Sequence, residues 1–241
     1  MRNMTSTTGA HPPFAGVLLD LFGTLIPVRP RVSRAPHLHE MAHILGADPT
    51  AFELDWSGCF EERVKGRLGS LEETVVRIAR RQGLEPAPDD VRRAVETRLE
   101  FTRSTFECCH PVLPGLDALR NAGIRLAVVS DTSAEVPRLW PSTPLARRIG
   151  ASVFSCEVGF CKPDPRMYRR ALEQLDLSAD RCAFVGDGGS RELTGAEAVG
   201  LAAFLYRFPE ESEGPDPRYD PDIEWKGQSI RNLGDLLSID R

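Results

Sequence analysis

The sequence predicts an α/β fold: a mainly parallel sheet with helices on both faces, interrupted early by a long helical insertion. Three observations predict it. A short apolar run, Gly16-Val17-Leu18-Leu19, ends in Asp20 and is stopped by Gly23. From about Pro30 to Cys109 the apolar residues keep a helical period and nothing reads as strand. Beyond Pro114-Gly115, apolar runs and helical stretches alternate almost to the C-terminus.

Residues 1–13 are rich in Ser, Thr and Pro, ending in His11-Pro12-Pro13, and read as a loose arm. The run at 16–20 suits a buried central strand whose C-terminal end presents Asp20, where open α/β sheets place their chemistry. Leu38, Met41, Ala42 and Leu45 open the insertion. Leu71, Val75, Ile78 and Ala79 continue it, followed by Val91, Ala94, Val95, Leu99 and Thr102. The stretch 30–109 has the size of a small domain. The remainder reads as helix Leu116–Ala122, strand Ile124–Val129, helix Arg166–Leu175, strand Cys182–Val185, strand Ala202–Leu205 and a short helix near Leu233–Leu237. Such alternation implies right-handed crossovers and a Rossmann-like sheet. The acidic, Pro-rich stretch from Pro209 to Asp222 reads as a surface loop. The expected organisation is thus an arm at 1–13, an α/β core made of 14–29 and 110–241, and a helical domain at 30–109.

The 241 residues are long enough for one large domain carrying an insertion. Hydrophobic residues at 41% and charged residues at 27% are ordinary for a globular protein. A net charge of -5 spread along the chain lacks the clustered Lys/Arg surface that nucleic acid requires. No stretch approaches the roughly 20 apolar residues of a membrane span, and the N-terminus has no apolar signal core, so a cytoplasmic protein is expected. The six cysteines match neither a zinc site nor a compact disulfide framework. Cys108-Cys109-His110 reads as structural, because neighbouring side chains cannot easily wrap one tetrahedral ion.

Four segments stand at predicted strand ends or helix starts: Asp20-Leu21-Phe22-Gly23-Thr24, Ser130-Asp131, Lys162-Pro163, and Gly186-Asp187-Gly188-Gly189-Ser190-Arg191-Glu192. Parallel-sheet geometry gathers them at one edge. Singly each is ordinary: Asp20 could cap a turn, Ser130 a helix, Lys162 could be a solvated charge, and Glu192 a first-turn carboxylate favoured by the helix dipole. Together they carry a chemistry. A desolvated carboxylate is a useful nucleophile toward phosphorus or carbon. The Ser130 hydroxyl and the Lys162 ammonium suit an anion. Gly23-Thr24 permits a tight turn with N–H groups near it. Asp187 and Glu192 beside Asp20 repel unless a cation neutralises them, and magnesium, a hard ion that takes oxygen ligands, is the natural one.

In order and separation these segments resemble the motifs of the haloacid dehalogenase superfamily of hydrolases, over residues 15 to 207, and the insertion resembles that family's first type of cap. The resemblance implies Asp20 as nucleophile, with Ser130 and Lys162 also catalytic. It implies substrate binding by Gly23, Thr24, Ser130, Asp131 and Lys162. Magnesium would be held by Asp20, the backbone carbonyl of Phe22, Asp187 and Glu192. The family usually has Asp where this chain has Glu192.

Phe22 departs most, because phosphatases of the family carry there a second Asp that protonates the leaving alcohol and activates water, worth about 10²–10⁴-fold. Aromatic residues at that position occur in the dehalogenase branch, which works without metal. The retained Asp187 and Glu192 favour magnesium-dependent hydrolysis of a small phosphorylated metabolite over dehalogenation. A third reading is a catalytically degenerate binding protein. In the cap, Arg63, Lys65 and Arg67 form a basic cluster that could swing over an anionic substrate or be a solvated helix face. Trp56 and Phe60 read as cap core. A monomer or homodimer is expected.

Overall fold

A computed structural model describes residues 12–209, 221–222 and 225–239. Six strands form one sheet in the order β3-β2-β1-β4-β5-β6: β1 Gly16–Leu19, β2 Arg125–Ser130, β3 Ala151–Phe154, β4 Cys182–Gly186, β5 Ala202–Leu205 and β6 Gln228–Ser229. Every pairing between them is parallel. The strand order reverses direction between β1 and β4, which makes the cleft above those two strands the topological switch point where ligands bind in open α/β sheets.

Side-chain alternation along the strands divides the core between two faces. Val17, Leu19, Leu126, Val128, Ala183 and Val185 pack on one face with Leu116 and Leu119 of α6 (Leu113–Asn121) and with Leu233 and Leu236 of a 3-10 helix, Leu233–Ser238. Leu18, Ala127, Val129 and Phe184 pack on the other with Met167, Tyr168 and Ala171 of α9 (Pro165–Leu175) and Leu193 and Ala196 of α10 (Glu192–Val199). Each of these fully buried large apolar side chains contributes about 1.5–3 kcal/mol.

Between β1 and α6 lie five α-helices: α1 Arg31–Leu45, α2 Pro49–Gly58, α3 Phe60–Val64, α4 Leu71–Arg81 and α5 Pro88–Phe106. Local chemistry explains their starts. Asp48 caps α2 by accepting from the Ala51 N–H at 2.8 Å, with Pro49 in the first turn, and Ser70 and Glu73 form a reciprocal capping box on α4. Two further short helices, α7 (Glu135–Leu139) and α8 (Ser155–Val158), follow β2 and β3.

The predicted elements are present, with strand β1 ending one residue before Asp20. The sequence predicts no separate element at α2, α3, α7, α8, β3 or β6. The signal for α2 was available in Asp48-Pro49 and in the spacing of Phe52, Trp56 and Cys59, all buried. Strand β3 is four residues long and half-open at its start, and β6 is two exposed polar residues, so neither carries a period. The expected arm lies, apart from Pro12 and Pro13, outside the described residues, and so does the Pro209–Asp222 loop apart from Pro209, Pro221 and Asp222. All six cysteines are unbridged. Among the described residues no helix is long and apolar enough to cross a membrane.

Candidate active site

Register places the site. Leu19 is paired with Val128 on one side and Val185 on the other, so the residues just past β1, β2 and β4 share one level at the sheet edge. Asp20 is fixed there by its own N–H, which donates to the Val185 carbonyl at 2.9 Å. The following loop is tight: the N–H groups of Leu25 and Ile26 both donate to the Leu21 carbonyl, and Gly23 adopts φ 81°, a conformation a side chain resists.

Asp20 is buried, with one carboxylate oxygen accepting from the Lys162 ammonium and the other from the Thr24 hydroxyl at 3.3 Å. Lys162 also donates to Glu192 Oε2 at 2.5 Å, and its backbone N–H is held by Asp131 Oδ1 at 2.9 Å. Asp187 Oδ1 accepts from the Gly189 N–H at 2.9 Å. Oxygens of Asp20, Asp187 and Glu192 lie within 4.8 Å of one another, all three residues buried. Ser130 ends β2 with its hydroxyl buried and without a hydrogen-bond partner, an arrangement that costs free energy until an acceptor arrives.

Two of the expected roles need correcting. Gly23 does not offer its N–H to an anion, because it donates to the Ile26 carbonyl at 2.7 Å within the loop. Thr24 is wholly buried and acts on Asp20, and neither residue borders the cavity above the sheet. The contribution of this pair is the turn and the orientation of the Asp20 carboxylate.

Electrostatics here are dominated by burial. Desolvation raises the Asp20 pKa to about 6, with Asp187 adding to the rise and Lys162 opposing it. Glu192 is pushed well above the usual carboxylate range by burial first and by Asp20 next, against Lys162. Burial would lower the Lys162 pKa, but Asp20, Glu192 and Asp131 outweigh it and hold the ammonium well above its usual value. Three carboxylates thus face one ammonium, a charge imbalance in a desolvated pocket. An all-oxygen donor set of this kind fits a small hard divalent cation.

Glu192 reaches the cluster because of a residue that sequence reasoning passed over. It is the first residue of α10, its Oε1 accepts from the Gly188 N–H at 3.0 Å, and its own carbonyl accepts from the Tyr168 hydroxyl at 2.8 Å. A Cβ on Gly186 would lie 2.1 Å from Oε1, so the glycine closing β4 makes room for the longer acid. Gly186→Ala is therefore expected to displace the Glu192 carboxylate and weaken magnesium binding about 10–100-fold, read by calorimetric titration of the ion. Unchanged magnesium affinity would refute this role.

Above these residues lies a cavity of about 420 Å³, roofed by the insertion. Phe22, Trp56, Phe60 and Phe101 border it together with Arg63 and Arg98. Trp56 is buried and Phe60 is 41% exposed, so both are cavity walls and Phe60 is not core. The predicted basic cluster is split: Arg63 is buried in the roof, Lys65 pairs with Glu61 at 2.5 Å, and Arg67 is exposed to solvent. Arg98, His37 and Glu135, which the sequence did not single out, complete the roof. Arg98 donates to Glu135 and contacts His37 Nε2 at 2.8 Å, while His37 stacks on Phe101 at 3.9 Å. Their helical positions resemble an ordinary polar face, and the packing of α5 against α1 and α7 brings them together.

A sequence profile of the haloacid dehalogenase-like hydrolases matches residues 14–200. The chain belongs to that family. This haloacid dehalogenase-like hydrolase is 29% identical over 189 residues to the phosphoserine phosphatase of Thermus thermophilus, covering 76% of this chain and 65% of that protein, less than two thirds of its length. It is 29% identical over 202 residues to the plasmid phosphoglycolate phosphatase of Cupriavidus necator, covering 81% of this chain and 82% of the relative. A 2-haloacid dehalogenase from Pseudomonas syringae shares its fold with a TM-score of 0.61 at 22% identity, covering 93% of this chain and 98% of that one. The family match makes the chain a hydrolase of the haloacid dehalogenase type, and several of its relatives are named phosphatases.

Proposed function

We propose that this hydrolase is a cytoplasmic, magnesium-dependent phosphatase of a small phosphorylated metabolite, acting through an aspartyl-phosphate on Asp20. The observation that carries the reading is the buried convergence of Asp20, Asp187 and Glu192, whose oxygens lie within 4.8 Å of one another while the Lys162 ammonium pairs with only two of them. A dehalogenase that works without metal has no use for that excess of negative charge. The phosphatases among the relatives support the same choice.

In this mechanism an Asp20 oxygen attacks phosphorus and forms the P–O bond as the alkoxide leaves, and water then cleaves the acyl-phosphate to return the carboxylate and phosphate. Lys162 and Thr24 hold the Asp20 carboxylate in its attacking orientation. The unpartnered Ser130 hydroxyl donates to a phosphoryl oxygen, with Asp131 fixing the backbone of Lys162 beside it. Asp20, Asp187, Glu192 and the Phe22 carbonyl would hold magnesium, which when bound would supply Lewis-acid neutralisation of the phosphoryl charge. Asp187 and Glu192 orient their carboxylates through the Gly189 and Gly188 N–H groups. The cap made by 30–109 excludes water from the cavity. Phe22 can neither give nor take a proton, so the leaving alkoxide takes its proton from solvent or from the substrate itself.

Purified protein should release phosphate from small esters with magnesium and lose that turnover with a chelator. Halide release from a 2-halo acid, indifferent to chelator, would replace the proposal with dehalogenation, and saturable binding without turnover would indicate a degenerate site. Phe22→Asp should raise phosphatase turnover by about 10²-fold or more if a proton donor is what the site lacks.

A further inference from the structure

We infer that the roof of the cavity is a subsite for a second anionic group, carried by the substrate at a distance from its phosphoryl group and bound by Arg63. The inference rests on the proposed placement of the phosphoryl group at Asp20.

The argument is one of charge. Arg63 and Arg98 both reach the roof, with Arg63 buried and the Arg98 side chain 14% exposed, and the carboxylate they share is Glu135, itself 2% exposed. The direct hydrogen bonds of Glu135 go to Arg98. Arg63 has only neutral hydrogen-bond partners: its Nη1 donates to the Ser133 hydroxyl at 3.0 Å and its Nη2 to the Trp56 carbonyl at 3.3 Å. His37 adds no charge, since burial first and Arg98 next lower its pKa to about 3. With Arg29, Arg34 and Glu53, which line the same cavity, four guanidinium groups stand against the two carboxylates Glu53 and Glu135, an excess of positive charge that is costly where it is buried without a counter-ion.

A second, independent observation points the same way. Arg63 Nε is buried without a hydrogen-bond partner, although guanidinium donors are made for bidentate pairing with carboxylate or phosphate. The guanidinium is held in place 4.6 Å from the centre of the Trp56 ring and 5.7 Å from that of Phe60, so little order has to be gained on binding. Glu135 Oε2 is likewise unpartnered, which adds an acceptor for a hydroxyl or ammonium beside the anion. A cavity of about 420 Å³ admits a molecule of metabolite size spanning from Asp20 to this roof. The substrate class is thus a phosphorylated small acid or a bisphosphate rather than a neutral phosphate ester.

Steady-state kinetics with 2-phosphoglycolate, ethanediol bisphosphate and ethyl phosphate, in magnesium, test this on the full chain. Wild-type kcat/KM should favour one of the two doubly anionic esters over ethyl phosphate by about 10–100-fold, the scale of a charge-assisted hydrogen bond. Which of the two leads tells carboxylate from phosphate. Arg63→Met should collapse that ratio toward one, mainly through KM, and Arg63→Lys should restore part of it. Equal use of all three esters by wild type overturns the subsite without need of a variant. If no ester is turned over, the phosphatase reading falls and calorimetric binding decides the subsite. Tighter binding of 2-phosphoglycolate than of ethyl phosphate, lost in Arg63→Met, would uphold it, and equal binding would overturn it.

Discussion

Asp20→Asn is expected to lower phosphate-ester turnover by about 10⁴-fold or more, the scale of losing a catalytic nucleophile, while leaving the protein folded and, without metal at pH 8, more stable. The second half follows from the sign of the pKa shift. Burial raises the Asp20 pKa from 3.8 to about 6, so the native state binds the proton more tightly than the unfolded chain. The contribution to stability is full below pH 4 and is lost as pH rises through 6, beyond which the ionised carboxylate is a liability on the order of 3 kcal/mol. An amide of the same shape carries no such charge. Urea unfolding at pH 8 and pH 4 should show a gain for Asp20→Asn at the first and almost none at the second. Full turnover in the variant would end the nucleophile assignment, whatever its stability.

Lys162→Met is expected to be the most destabilising single change in the site, by about 3–5 kcal/mol at pH 8 without metal. The ammonium is the cation that both Asp20 and Glu192 share, and removing it leaves buried like charges facing each other. Both carboxylates already titrate high, so the loss should shrink as pH falls and they take up protons. Added magnesium should recover part of it at pH 8, because a divalent ion neutralises the same oxygens. Unfolding midpoints measured across pH 5 to 8, with and without magnesium, give the answer. A loss independent of both pH and magnesium would show that Lys162 contributes packing rather than charge.

Much of this site was legible in sequence because parallel-sheet geometry does the gathering. Once Gly16–Leu19, Arg125–Ser130 and Cys182–Gly186 are read as neighbouring parallel strands, the residues just past their ends must meet, and Asp20, Ser130 and Asp187 do. The fit of Glu192 was not legible, since it depends on the missing Cβ of Gly186, a through-space contact with no period or motif. The roof was not legible either. Arg63 sits in a five-residue helix beside Lys65 and Arg67, identical in charge, and only tertiary packing separates the buried cation from the half-buried Lys65 and the exposed Arg67. Gly23-Thr24 misled in the opposite sense, because a turn that looks open to an anion is closed on itself by the Gly23–Ile26 hydrogen bond.

The position of the insertion has a cost in time. Strand β1 emerges first in synthesis, yet its ladder partners begin at Arg125 and Cys182, far along the chain. The nascent apolar segment Val17–Leu19 has no strand to pair with until most of the polypeptide has been made, and closing such long loops slows folding. The nucleophile is thus seated only once strands far apart in the chain have met.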